Sequence, residues 1–147
     1  MKFHYAFQKI VDLKGNEKTQ AEWMLSSALG KLQAEEKSLS ELFEMREQMY
    51  EAQQNAAERC APVLEIRNIQ TYIEYLESCI AKKRDDIKLA HINVNDKKQQ
   101  LNEKMLDEKV WLKARDKSKE KFQHESLLRE QNELDEMATV RFAMNAH

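Results

Sequence analysis

The stretch AAERCAPVLEI, residues 56–66, holds the one proline of the chain and separates two arms with the same hydrophobic rhythm. Upstream, Ala21, Leu25, Ala28, Leu32, Glu35, Leu39, Leu42, Arg46, Met49, Gln53, Ala56 and Cys60 step along in alternating fours and threes. Downstream, Ile69, Ile73, Leu76, Ile80, Lys83, Ile87, Ala90, Val94, Lys97 and Leu101 do the same. A 3.5-residue repeat is the mark of a coiled-coil seam. Proline donates no helical hydrogen bond and clashes with the preceding turn, yet it suits the start of a new helix. A first helix is therefore expected over about 3–58, a turn over about 59–62 and a second helix over about 63–143. A connection this short makes the helices antiparallel neighbours. The expected fold is all-α: a single long two-helix coiled-coil hairpin with an overhanging C-terminal helix.

The register follows from the same proline. The pairs Met49/Ile73, Leu42/Ile80, Arg46/Leu76 and Leu32/Ala90 are all centred on position 61. Pairings slipped by one heptad also fit the seam, but the position of Pro62 selects this one. Near the start, Phe3, Phe7 and Ile10 keep the spacing, whereas Glu17 falls where an apolar residue is wanted. Gly15-Asn16 just before it predicts a stutter or local weakening.

Composition agrees. With 2 glycines and 1 proline in 147 residues, and 34% charged side chains, the chain lacks the punctuation of a multi-element globule. Each well-buried Leu or Ile contributes roughly 1.5–3 kcal/mol, against about 1–2 kcal/mol per residue for ordering the backbone. A bare hairpin is thus expected to be marginal alone and firmer with a partner. The net charge of −2 gives no global attraction to nucleic acid or anionic lipid. Residues 1–9 lack an apolar run of signal-peptide length, and no segment reads as a membrane span. Cys60 and Cys79 are isolated, which favours reduced thiols and a cytoplasmic setting.

The arms differ in reach. Phe3 falls opposite Lys119, so everything past about Phe122 overhangs, and a second helix of this length would span on the order of 120 Å. The overhang carries Leu127, Leu128, Leu134, Met137, Val140, Phe142 and Met144. Apolar residues with no internal partner imply either an external one or a frayed tail.

Enzyme chemistry has no foothold. Gly15 and Gly30 form no phosphate loop. His4, His91, His124 and His147 have no ligand companions at metal-binding spacing. Paired acids such as Glu35-Glu36 and Asp85-Asp86 are what a solvated helix face carries, and a bare hairpin offers no concave site. The chain is expected to be no enzyme, with no catalytic residue, no cofactor and no metal.

Surfaces are more informative. Among the polar seam positions, Lys83 is expected to face Leu39; such positions weaken a coil while fixing its register. On one flank, Ser38, Met45 and Ala52 of the first arm lie beside Tyr72 and Cys79 of the second, with no charge among them. The other flank sets Phe43 and Tyr50 against Gln70, Glu77 and Arg84. The neutral flank reads equally as a docking face or as a wider core stripe. A basic run, Lys109, Lys113, Arg115, Lys117, Lys119 and Lys121, is either a solvated face or a collar for an acidic partner. Nucleic acid is disfavoured, since only Trp111 and Phe122 could stack on bases.

Several segments resemble the FliJ family of flagellar type III export proteins. They are the opening Phe3-His-Tyr5-Ala-Phe7-Gln-Lys-Ile10-Val-Asp-Leu13-Lys, the Leu39-x-x-Leu42-x-x-Met45 stretch ending at Tyr50, Tyr72-Ile73-Glu-Tyr-Leu76-Glu, and the closing Leu134-Asp135-Glu136-Met137-Ala138-Thr139-Val140-Arg141. The resemblance implies an antiparallel coiled-coil hairpin similar to the central stalk of rotary ATPases, monomeric when alone. It implies that the end with both termini inserts into the hexameric flagellar export ATPase and promotes its assembly, through Phe3, Phe7, Ile10, Leu127, Leu134, Asp135, Met137 and Arg141. It further implies that Ser38, Leu42, Met45, Met49, Tyr72, Leu76, Cys79 and Lys83 bind the cytoplasmic domain of the membrane export gate. On that reading Leu42→Ala or Leu76→Ala weakens gate binding and spares helicity. The family also handles export chaperones, and it works in the cytoplasm and on the cytoplasmic face of the membrane at the flagellar base. Other readings of the same pattern are a cytoplasmic escort for export substrates or their chaperones, and a self-associating coiled-coil scaffold.

Overall fold

A computed structural model describes residues 2–146; the readings that touch Met1 and His147 lie outside them. Two helices carry the fold: α1, Gln8–Glu58, and α2, Val63–Asn145. The chain is an all-α helical hairpin. It divides into two compact units, one of residues 1–19 with 102–147 and one of 20–101.

The reversal lies in the second unit. Cys60 adopts a left-handed backbone with φ of 56°. The Ala61 amide donates to the Ala56 carbonyl at 2.9 Å, and the Cys60 amide to the Ala57 carbonyl at 3.2 Å. These two bonds form a Schellman cap, which satisfies carbonyls that the helix end would otherwise leave open. Pro62 then receives the Glu65 amide on its carbonyl at 3.0 Å, so it caps α2, and Val63 is the first helical residue. Arg59 bridges the turn to Glu65 at 2.9 Å. Cys60, expected in the seam, is instead exposed, because the cap turns the chain out of the helix before its heptad position is reached.

Every other seam position from Ala21 to Ala56 and from Ile69 to Leu101 is buried or half-buried. Ile73, Leu76 and Ile80 form the most buried layers of α2. Ala28 and Leu32 pack with Ala90 and Val94, in the register centred on position 61. Two charged seam members pair with each other: the Lys83 ammonium donates to Glu35 at 2.8 Å, where the sequence set Lys83 against Leu39. A lysine stem leans along the helix far enough to reach a carboxylate one layer away.

The first unit departs further from expectation. Its helix opens at Gln8 rather than near Phe3, and residues 2–7 form an arm of alternating aromatics. The Phe3 ring lies 5.5 Å from Phe122 and the Phe7 ring 6.0 Å from Trp111, with Tyr5 against both Phe3 and Phe7. Along α2 those two anchors are about 16 Å apart. Four residues of extended chain reach about 13 Å, whereas four helical residues cover only about 6 Å. Helix there would forfeit one of the two ring contacts. Farther on, α1 passes through Gly15-Asn16 unbroken, so the expected weakening takes another form. Val11 fills the buried layer instead of Ile10, which is half-buried. Beyond it the seam is ionic: Lys14 to Asp107 at 2.8 Å, Lys18 to Glu108 at 3.0 Å and Lys104 to Glu17 at 3.4 Å. A Cβ at Gly15 would stand 3.1 Å from a Glu108 carboxylate oxygen, so the missing side chain makes room for that layer.

Two outcomes test this account. A non-glycine residue in the left-handed region costs about 1–2 kcal/mol, so Cys60→Gly should stabilise the hairpin by about 1 kcal/mol in chemical denaturation. The hydrogen bond to Asp107 holds the Lys14 ammonium above its usual 10.5, and the bond to Glu35 does the same for Lys83. A raised folded value means that the contribution is whole below pH 10.5 and lost as pH climbs through the folded value. The melting temperature should therefore fall on going above that pH, and fall less in Lys83→Met.

Candidate functional site

The two flanks of the second unit are built differently. On one, the Tyr50 hydroxyl donates to Glu77 at 2.8 Å and the Gln53 amide to Gln70 at 2.6 Å. The hydrogen bond to Glu77 holds the Tyr50 phenol above its ordinary pKa. The Phe43 ring lies between two guanidiniums, Arg46 at 5.1 Å and Arg84 at 5.5 Å. Arg46, a seam position, thus turns its charge out onto Phe43 and Tyr50 by cation–π contact while its Nε stays buried without a partner. This flank is clasped shut by cross-helix polar contacts.

The other flank is open. Met45 and Tyr72 are exposed there, and Ser38, Ala52 and Cys79 are half-buried. Met49, Pro62, Leu64, Asn68, Ile69 and Tyr72 line a shallow groove beside the turn. Sequence spacing missed Tyr75, which is 61% exposed and stacks on Tyr72 with ring centroids 6.1 Å apart. Its three-residue offset from Tyr72 was the available signal, since residues so spaced share a helix face. The Cys79 hydrogen bond raises the Tyr75 phenol above its ordinary pKa and ties the two side chains together one turn apart.

The eight residues given to this flank therefore fall into two groups. Met45 and Tyr72 present surface, with Ser38, Met49 and Cys79 partly accessible. Leu76 is 1% exposed and belongs to the core, Leu42 is half-buried beneath the flank, and Lys83 is held by Glu35. The Leu76 side chain is buried in the seam, so Leu76→Ala is expected to cost folding stability as well as any binding.

The first unit carries the second candidate surface. α2 outruns the N-terminal arm, and from Leu127 to Ala146 every residue is exposed. Leu127, Leu134, Met137, Val140 and Met144 share a broad face of the bare helix. Glu133, Glu136, Met137, Val140 and Arg141 form one patch on it, and Asp135 lies among them in sequence. Phe3 and Ile10 are half-buried, whereas Phe7 is 52% exposed above Trp111. Arg115 and Lys119 line a hollow with Phe3, His4 and Tyr5. Among the described residues none of the six basic side chains from Lys109 to Lys121 makes an ion pair.

Among the described residues no cluster could hold a metal, and no helix is long and apolar enough to cross a membrane. The architecture is that of an all-α helical hairpin with two exposed apolar surfaces. Comparison with known proteins carries this further. The family model for the flagellar FliJ protein matches residues 2–147, and the chain belongs to that family. A flagellar FliJ protein of Bacillus subtilis (strain 168) is 24% identical over 147 residues, covering 100% of both chains. No solved structure matches significantly. Membership gives the chain a role in flagellar protein export, within a family that is a non-enzymatic component of that process.

If the open flank is a docking face, the two groups of residues separate under mutation. Tyr72→Ala and Met45→Ala should weaken capture by the export gate's cytoplasmic domain in a pull-down while the circular dichroism melt shifts little. Leu76→Ala should instead cost about 2–5 kcal/mol of folding stability, with binding lost only as the fold is lost.

Proposed function

We propose that the chain is a stalk-like coupling factor of the flagellar export apparatus, joining the hexameric export ATPase to the cytoplasmic domain of the membrane export gate. The observation that carries the reading is the length mismatch: α2 continues to Asn145 while α1 ends its pairing at Gln8, leaving an apolar helix face with nothing against it. A protein exposing such a stripe is built to insert it elsewhere.

A six-fold ring offers a single helical hairpin six near-equivalent seats, so contacts along the overhang should be apolar and few rather than one fixed lock. Leu127, Leu134 and Met137 supply such contacts, and Asp135 and Arg141 orient the helix at the rim. Phe3, Phe7 and Ile10 stiffen the base of the overhang through the aromatic arm. The unpaired basic run beside that arm suits acidic loops around a channel mouth, where it would speed encounter and fix depth of entry. The open flank around Met45 and Tyr72 then serves the gate, with Leu42, Met49 and Leu76 holding its shape and Ser38, Cys79 and Lys83 at its edge. The setting is the cytoplasm and the cytoplasmic face of the membrane at the flagellar base, and export chaperones are further partners. Lost coupling would lower secretion of flagellar subunits and therefore motility.

Adding the purified chain to the cognate ATPase should raise both hydrolysis rate and the fraction of hexamer in sedimentation. Deleting residues 123–147 should abolish both effects and leave the hairpin's melting transition in place. An unchanged hydrolysis rate with the full chain would instead favour an escort for substrates or chaperones.

A further inference from the structure

The side of α2 that forms the seam runs on past the point where α1 begins. Trp111, Arg115, Ser118 and Phe122 continue the seam positions and are half-buried. With about 3.6 residues per turn, Val140 lies five turns beyond Phe122 on the same line of the helix, and Met137 and Met144 stand beside it. All three are exposed. One stripe thus has a covered half and a bare half, and the rings lying on the covered half belong to the arm of residues 2–7. That arm is held lightly. It meets α2 through Phe7 on Trp111 at 6.0 Å and Phe3 on Phe122 at 5.5 Å, while Tyr5 turns back onto Phe3 and Phe7. Between the two anchors it bridges a hollow of about 350 Å³ beside Arg115, Asp116 and Lys119. Among the described residues no hydrogen bond or ion pair joins residues 2–7 to α2.

We propose that the arm is a displaceable strap. In the free chain it lies over the near half of the stripe and stiffens the base of the overhang. A partner segment seated on Met137, Val140 and Met144 and continuing along the same line meets Phe3 about four turns on. It then lifts the arm and takes Trp111 and Phe122 as its own contacts. The exchange is cheap on one side and rewarding on the other. A segment with few apolar contacts and no cross-helix hydrogen bond opens at low free-energy cost, whereas large aromatic side chains are the ones that anchor an interface once covered. Until then the strap keeps both rings from joining the bare half into one larger exposed apolar patch. The occupant is an apolar segment of the export ATPase, so the inference rests on the coupling role proposed above. It differs from that reading in one respect: Phe3 and Phe7 give up their places on α2 when the partner arrives.

Two measurements test the strap, the first without any partner. Trp23→Phe leaves Trp111 as the one tryptophan. In urea its emission should move to the red before helical ellipticity falls, and a version lacking residues 2–7 should show the red emission from the start with native helicity. The second compares stimulation of the cognate ATPase by the full chain and by the chain lacking residues 2–7. An arm closed in about nine molecules of ten weakens apparent affinity about tenfold, so the shortened chain should reach half-maximal stimulation at a concentration lower by a factor of that order. Trp111 emission and ellipticity that change together, or a shortened chain that needs a higher concentration, would overturn the proposal. Failure of the full chain to stimulate at all would count against the coupling role and leave the urea measurement to decide on the strap.

Discussion

The architecture depends on where the chain reverses. An antiparallel seam with a 3.5-residue repeat accepts any register shifted by whole heptads, and side-chain burial alone discriminates weakly among them. The turn removes that degeneracy. A Schellman cap closing on Ala56 and a proline carbonyl opening α2 leave four residues between the helices, and these set Leu32 beside Ala90 and Ala28 beside Val94. Once those layers are in place, the exposure of each flank beside them follows without further choice.

The same constraint makes the two flanks unequal. Clasping one with Tyr50–Glu77, Gln53–Gln70 and the Arg–Phe43–Arg stack spends the polar groups of that part of the hairpin on internal contacts. The opposite flank keeps Met45, Tyr72 and Tyr75 facing solvent. Aromatic and methionine side chains are the ones that gain most when a partner covers them. The hairpin thus has one internally satisfied side and one side left facing water. Membership of the FliJ family gives the chain a role in flagellar protein export.

Much of this was legible in the heptads. Local spacing determines which residues face inward, so seam positions from Ala21 to Ala56 and from Ile69 to Leu101, the turn at Pro62 and the C-terminal overhang could all be read directly. What escaped depends on distances between segments. Phe3 and Phe7 keep helical spacing, yet the gap between Trp111 and Phe122 pulls them out of the helix. Glu35 and Lys83 each looked like an isolated polar defect because their pairing crosses layers. Leu76 stands in the seam by its own spacing, and the structure buries it there, although family likeness also sets it among the gate-binding positions. Tyr75 lies only three residues from Tyr72, outside the flank positions that the heptad spacing marks.

The ionic layers near Gly15 have a consequence for how the molecule comes apart. Lys14–Asp107, Lys18–Glu108 and Lys104–Glu17 hold a stretch where aliphatic packing is thin. Half-buried ion pairs of this kind stay in reach of water and are screened by dissolved ions. Cooperative opening starts where local stability is lowest. The opening turns of α1 are thus a peelable flap: rising ionic strength lifts them first, bares the rings of Trp111 and Phe122, and lengthens the single-helix tip.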